Sequence, residues 1–247
     1  MLFIKFSLSL IIFLIAFLAG IIPLCLTMNH LFFKKSEAFV CGIFLGAAFF
    51  HLLPDATHLF QLTQRPYSHT ATIFIMSSSL VLFAGFTQIG KTYQLNKRLF
   101  PWFIFGILTF HSIITGLALG FVHVTNMLYI LFFAIVAHKA FDSFTLLIIL
   151  KKYQFTFKRI FYLLTFFSLM TPLGILLGAF AFHSLNGIAA NMLTAAFSAF
   201  AAGSFIYIAT AEGPIIPWIL HPKTLPISEL IFLILGLSCM AILAFWV

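Results

Sequence analysis

Apolar residues in this 247-residue chain fall into long continuous runs, broken by short clusters of charge, proline, asparagine and serine. A helix that crosses a bilayer needs about 20 such residues in succession. The runs at 6–28, 37–57, 70–90, 100–122, 124–150, 159–183, 187–211 and 227–247 predict eight membrane-spanning helices. They are continuous rather than alternating, so they do not fit the strands of a membrane barrel. The first run is too long for the apolar part of a cleaved leader and lacks a small-residue cleavage site, so it is read as span one. Connections between runs are short. The expected organisation is one all-α, eight-span domain over residues 1–247, with function confined to the bundle.

Composition narrows the class further. Only 7% of residues are charged, against roughly 25% in a soluble domain. The hydrophobic fraction is 63% and phenylalanine alone occurs 35 times, read here as lipid-facing bulk. These values exclude a soluble globular domain, a disordered chain, a secreted disulfide scaffold and a nucleic-acid-binding protein. The three cysteines, Cys25, Cys41 and Cys239, all lie in apolar runs and suit neither a disulfide framework nor a Cys-rich zinc site.

Placing the bases on the spans explains the net charge of +8. Of 13 Lys and Arg residues, ten fall in alternate loops: Lys34 and Lys35; Lys91, Lys97 and Arg98; Lys151, Lys152, Lys158 and Arg159; and Lys223. Arg65 and Lys5 lie on the other side, and Lys139 sits inside a span. Basic loops face the cytoplasm, so both termini are expected outside. The excess charge therefore reports loop position rather than a polyanionic partner.

Ionisable groups inside the bilayer are costly and usually line a pathway. Three spans carry a histidine with a polar partner four residues on: His51 and Asp55 in span two, His111 and Thr115 in span four, His138 and Asp142 in span five. Four residues is about one helical turn, so each pair shares a face. Counting 1.5 Å per residue puts His111 and His138 near mid-membrane. Asp55 and His58 fall at the outer end of span two, Glu212 and His221 at the inner end of span seven. Imidazole with carboxylate suits a first-row divalent metal such as zinc or iron, whereas calcium or magnesium would need more carboxylates than the five present. A structural Lys139–Asp142 ion pair is an alternative for those two residues. His123 and His183, taken singly, fit interhelical hydrogen bonding as well as ligation, and His58, His69 and Arg65 fit solvated outer loops. The pairs Gly116/Gly120 and Gly174/Gly178 have the spacing that lets helix backbones approach closely. Gly116 is one turn beyond His111, so span four can press against span five beside the site. Pro172 either kinks span six or frees carbonyls toward the pathway.

Five segments in order carry a resemblance. They are Phe50-His51-Leu52-Leu53-Pro54-Asp55-Ala56; the span-four run from His111-Ser112 through Thr115-Gly116 to Gly120; His138-Lys139-Ala140-Phe141-Asp142; Thr171-Pro172-Leu173-Gly174; and the span-seven run from Ala201-Ala202-Gly203-Ser204 to Glu212. Together they resemble the ZIP family of divalent-metal transporters. The resemblance implies a bundle of three, two and three spans with an inverted repeat, a metal site at the centre of spans four and five, and a homodimer. It implies transport of zinc, with iron or manganese as alternatives, toward the cytoplasm by rocking of the flanking bundle. It implies no enzyme activity and no cofactor; the metal is cargo. The ligand set by resemblance is His111, His138 and Asp142, completed by water, Ser112 or Thr115. His51, Asp55, Lys139 and Glu212 then mark the transport pathway. A multi-pass protein of a plasma membrane or bacterial inner membrane is expected, with lipid and the metal ion as partners.

Departures from the family pattern are specific. Span four usually reads His-Ser-x-x-Glu-Gly, and here Thr115 takes the place of the glutamate. Asp142 replaces a usual glutamate. Lys139 stands where some members hold a second ion, which implies one central site. The histidine-rich loop usual between spans three and four is missing. Losing the span-four carboxylate suits either weaker binding or a homologue that no longer transports. A zinc-dependent intramembrane hydrolase is a third reading, although neither His-Glu-x-x-His nor Gly-x-Ser-x-Gly occurs.

Overall fold

In a computed structural model the described residues are 2–25, 30–63, 67–92, 96–122, 125–181, 187–220 and 227–244. Among them the chain is helical with no strand. The helices are α1 (Leu2–Cys25), α2 (His30–Gly46), α3 (Leu53–Gln61), α4 (Ser68–Thr92), α5 (Asn96–Phe121), α6 (Thr125–Lys152), α7 (Phe157–Ala181), α8 (Gly187–Tyr207), α9 (Ile215–Leu220) and α10 (Ile227–Ala244). A π-helical segment, Ala47–Leu52, joins α2 to α3, and another, Ile208–Glu212, extends α8. Among the described residues eight helices are long and apolar enough to span a membrane, and they match the eight predicted runs. The short α9 was not predicted; its Trp218 indole donates to Glu229 at 3.3 Å.

Both π segments precede prolines. Pro54 has no N–H to return to the carbonyl four residues back, and the Leu53 N–H reaches Ala48 O, one residue further than in an α-helix. The second segment ends at Gly213, which is extended at φ −88° and ψ −173°, as the residue before Pro214 should be.

The helices divide between two compact units. One holds α1, α5, α6 and α7; the other holds α2, α3, α4, α8 from Asn191, α9 and α10. Spans one and six thus share a unit with spans four and five, while two, three, seven and eight share the other.

In the first unit α1 packs on α6 and α7. Its buried stripe is Lys5, Leu8, Ser9, Ile12, Ala16, Gly20 and Pro23, a three-to-four residue spacing. Leu8 and Ile12 join Leu119, Leu128, Phe132, Ile135 and Ile175 in one apolar cluster. Lys5 is buried there, not exposed at the terminus: its ammonium donates to the Gly120 carbonyl near the end of α5. Lys151 donates to the Pro23 carbonyl at the far end of α1. Helix ends leave carbonyls without intrahelical partners, and in an apolar surround each unmet one is costly. The two lysines meet that need while tying α1 to its neighbours.

The two glycine pairs meet each other. A Cβ on Gly116 would lie 3.0 Å from Gly174 Cα, and one on Gly120 would lie 2.8 Å from Gly178 Cα. The glycine face of α5 is therefore turned to α7 (span six), not to span five as the sequence suggested. Equal spacing on two parallel helices lets the motifs mate in register.

In the second unit α2 and α10 pack closely. Gly42 abuts the Leu233 carbonyl, and Gly236 abuts that of Phe39. The Phe44 and Phe205 rings pack with centroids 4.8 Å apart, tilted by 54°.

Candidate metal centre

The centre lies within the first unit, on α5 and α6. His111 is near the middle of α5 and His138 near the middle of α6. One ligand atom from each of His111, His138 and Asp142 lies within 4.8 Å of the other two, and all three residues are buried. The imidazole rings stand 5.9 Å apart at 49°. His138 and Asp142 converge because they are one turn apart on α6, a helix whose residues 145–150 are buried all round. A group of two imidazoles and one carboxylate, closed to solvent, is a donor set for a divalent transition metal.

Thr115 lies at the edge of this group. Its hydroxyl donates to the His111 carbonyl at 2.8 Å and stands 3.4 Å from His111 Nε2. With the proton committed to the carbonyl, an oxygen lone pair faces the imidazole. Ser112 is engaged differently. It donates to the Leu108 carbonyl at 2.7 Å and accepts from the Lys139 ammonium.

Lys139 is buried to 1% exposure. Besides Ser112, its ammonium lies 3.7 Å from the centroid of the Phe167 ring on α7. Phe167 has no exposed surface. It was not singled out in the sequence, where it is one of 35 phenylalanines with no distinguishing neighbour. Only its position over the lysine sets it apart from lipid-facing rings.

The remaining pathway candidates belong to the second unit. His51 Nδ1 and Asp55 Oδ2 are 3.0 Å apart, as their spacing predicts. His51 sits in the first π segment and Asp55 in the first turn of α3. The backbone of Glu212 closes the second π segment. The side chain of Glu212, together with His123, His183, His221, Arg65 and Lys223, lies outside the described residues.

The fold and the centre define a class: a multi-pass helical membrane protein with a buried His–His–Asp group in one packed unit. A family profile described as "ZIP Zinc transporter" matches residues 89–244, more than half of the chain. The chain belongs to the ZIP zinc transporter family. That family comprises transporters, which sets the hydrolase reading aside.

Individual relatives agree. "Protein zntC" of Dictyostelium discoideum is 37% identical over 147 residues, covering 59% of this chain and 36% of that protein. "Zinc transporter ZIP1" of Danio rerio is 33% identical over 144 residues, covering 58% and 46% respectively. "Zinc transporter 3" of Arabidopsis thaliana is 26% identical over 254 residues, covering 87% and 74%. The chain spans less than half the length of the first two of these relatives.

Proposed function

We propose that this chain moves a divalent transition-metal ion across a membrane toward the cytoplasm, with zinc as the first candidate and iron or manganese as alternatives. The carrying observation is the convergence of His111, His138 and Asp142 ligand atoms within 4.8 Å. The zinc-transporter names of relatives support the choice of metal. In this reading the ion binds near mid-membrane to those three side chains, and water or Thr115 completes four-coordination. Ser112 contributes through Lys139, because its hydroxyl proton goes to Leu108 and its oxygen receives the ammonium. His51 and Asp55 serve the outer approach and Glu212 the inner exit. Both termini lie outside, the ten loop bases face the cytoplasm, and the protein works as a homodimer in a plasma or bacterial inner membrane.

The test is uptake of zinc, iron and manganese by cells lacking their own importers. Wild type should raise uptake of at least one metal, and His138→Ala should remove at least nine-tenths of the gain. A His138→Ala variant equal to wild type for every metal overturns the proposal.

A further inference from the structure

Lys139 has a long side chain beside Asp142, the one carboxylate of the metal centre among the described residues. Asp142 is three residues along the same helix, on the same face and within reach of a lysine side chain. If the lysine folded onto Asp142, it would neutralise the one anionic ligand and compete with the ion. Two contacts draw it elsewhere. The Ser112 hydroxyl accepts a hydrogen bond from the ammonium, and the Phe167 ring offers its negative face at 3.7 Å. Ring and ammonium are both sealed from solvent, where a cation over an aromatic face is held most strongly. Phe167 comes from α7, whose backbone is locked to α5 through the paired glycines, so the ring position is fixed relative to Ser112.

We propose that Phe167 is a positioning residue for the metal centre: its ring holds the Lys139 ammonium off Asp142 and keeps the carboxylate available to the ion. This rests on the reading of His111, His138 and Asp142 as the ion site. It assigns to α7 a part in metal affinity, although α7 supplies none of the three ligands. A leucine at this position would pack but would not attract the ammonium.

The experiment is equilibrium dialysis of radioactive zinc against the purified full chain in lipid nanodiscs. Phe167→Leu should weaken zinc binding by roughly thirtyfold, the scale of a desolvated cation–aromatic contact. Phe167→Tyr, which keeps the ring, should stay within about twofold of wild type. In a Lys139→Met background Phe167→Leu should have no further effect, since no ammonium remains to be steered. A purely packing role for the ring would show the same loss with or without the lysine amine. Phe167→Met, unbranched and more adaptable in shape, repeats the test if the leucine variant is not monodisperse. Wild-type affinity in the ring-less variants, or an undiminished penalty in the Lys139→Met background, overturns the proposal. His138→Ala separates the two readings. If it binds zinc as wild type does, the site itself is misassigned and the inference falls with it. If it loses binding while Phe167→Leu does not, only the role of Phe167 is wrong.

Discussion

Replacing Gly116 by alanine adds one methyl group where α5 meets α7. The new Cβ would stand 3.0 Å from both Gly174 Cα and Ile175 N and closer still to the Thr171 carbonyl, whereas ordinary contact begins at 3.4 Å. Each obstacle is backbone, so no side chain can swing aside, and the helices must separate by roughly an ångström to restore ordinary contact. Overpacking of this kind costs about 1–3 kcal/mol. Alanine also gains about 1 kcal/mol over glycine in a helix, which would mask part of that cost. Gly106, on the same helix, provides the correction: a Cβ there meets nothing within 4 Å. Gly106→Ala receives the propensity gain alone, so the difference between the two variants isolates the interhelical contact at about 1–3 kcal/mol. For a chain of this size that corresponds to thermal midpoints roughly 3–10 °C apart. Fluorescence-monitored unfolding in one detergent measures the difference. Because Gly116 is only about one turn from His111, the less stable variant should also bind zinc more weakly. Equal midpoints would refute the backbone-to-backbone packing of α5 on α7.

Two further variants probe the polar groups. Thr115→Glu places a carboxylate where a hydroxyl now stands 3.4 Å from His111 Nε2, and should tighten zinc binding by about 1.5–3 kcal/mol, the scale of a charge-assisted contact. Equilibrium dialysis measures this, and unchanged affinity would mean that residue 115 does not reach the ion. Asp55→Asn keeps an oxygen near His51 but removes the negative charge from the 3.0 Å contact. Pairs at this spacing contribute about 0.2–0.5 kcal/mol, so the thermal midpoint should barely move while zinc uptake at low concentration slows. A large fall in midpoint would instead assign the pair to stability.

Residue pattern alone determined the eight spans, because bilayer thickness and helical rise translate directly into run length. It also determined the faces: His51 with Asp55 and His138 with Asp142 are joined by one turn of backbone, and no distant contact can separate them. The order of motifs was enough to indicate the family. What lay beyond was which helices touch. Two glycine pairs are visible in the chain, but their mating with each other, rather than with span five, depends on α5 and α7 lying side by side. Lys5 looks like a terminal charge until the Gly120 carbonyl, far along the chain, is brought to it. The convergence of His111 on His138 and Asp142, and the choice of Phe167 from 35 like residues, belong to packing between segments remote in sequence. Periodicity is local and survives in the string of residues. The distance from an ammonium to a ring on another helix is set by every contact between them, and only the folded bundle holds it.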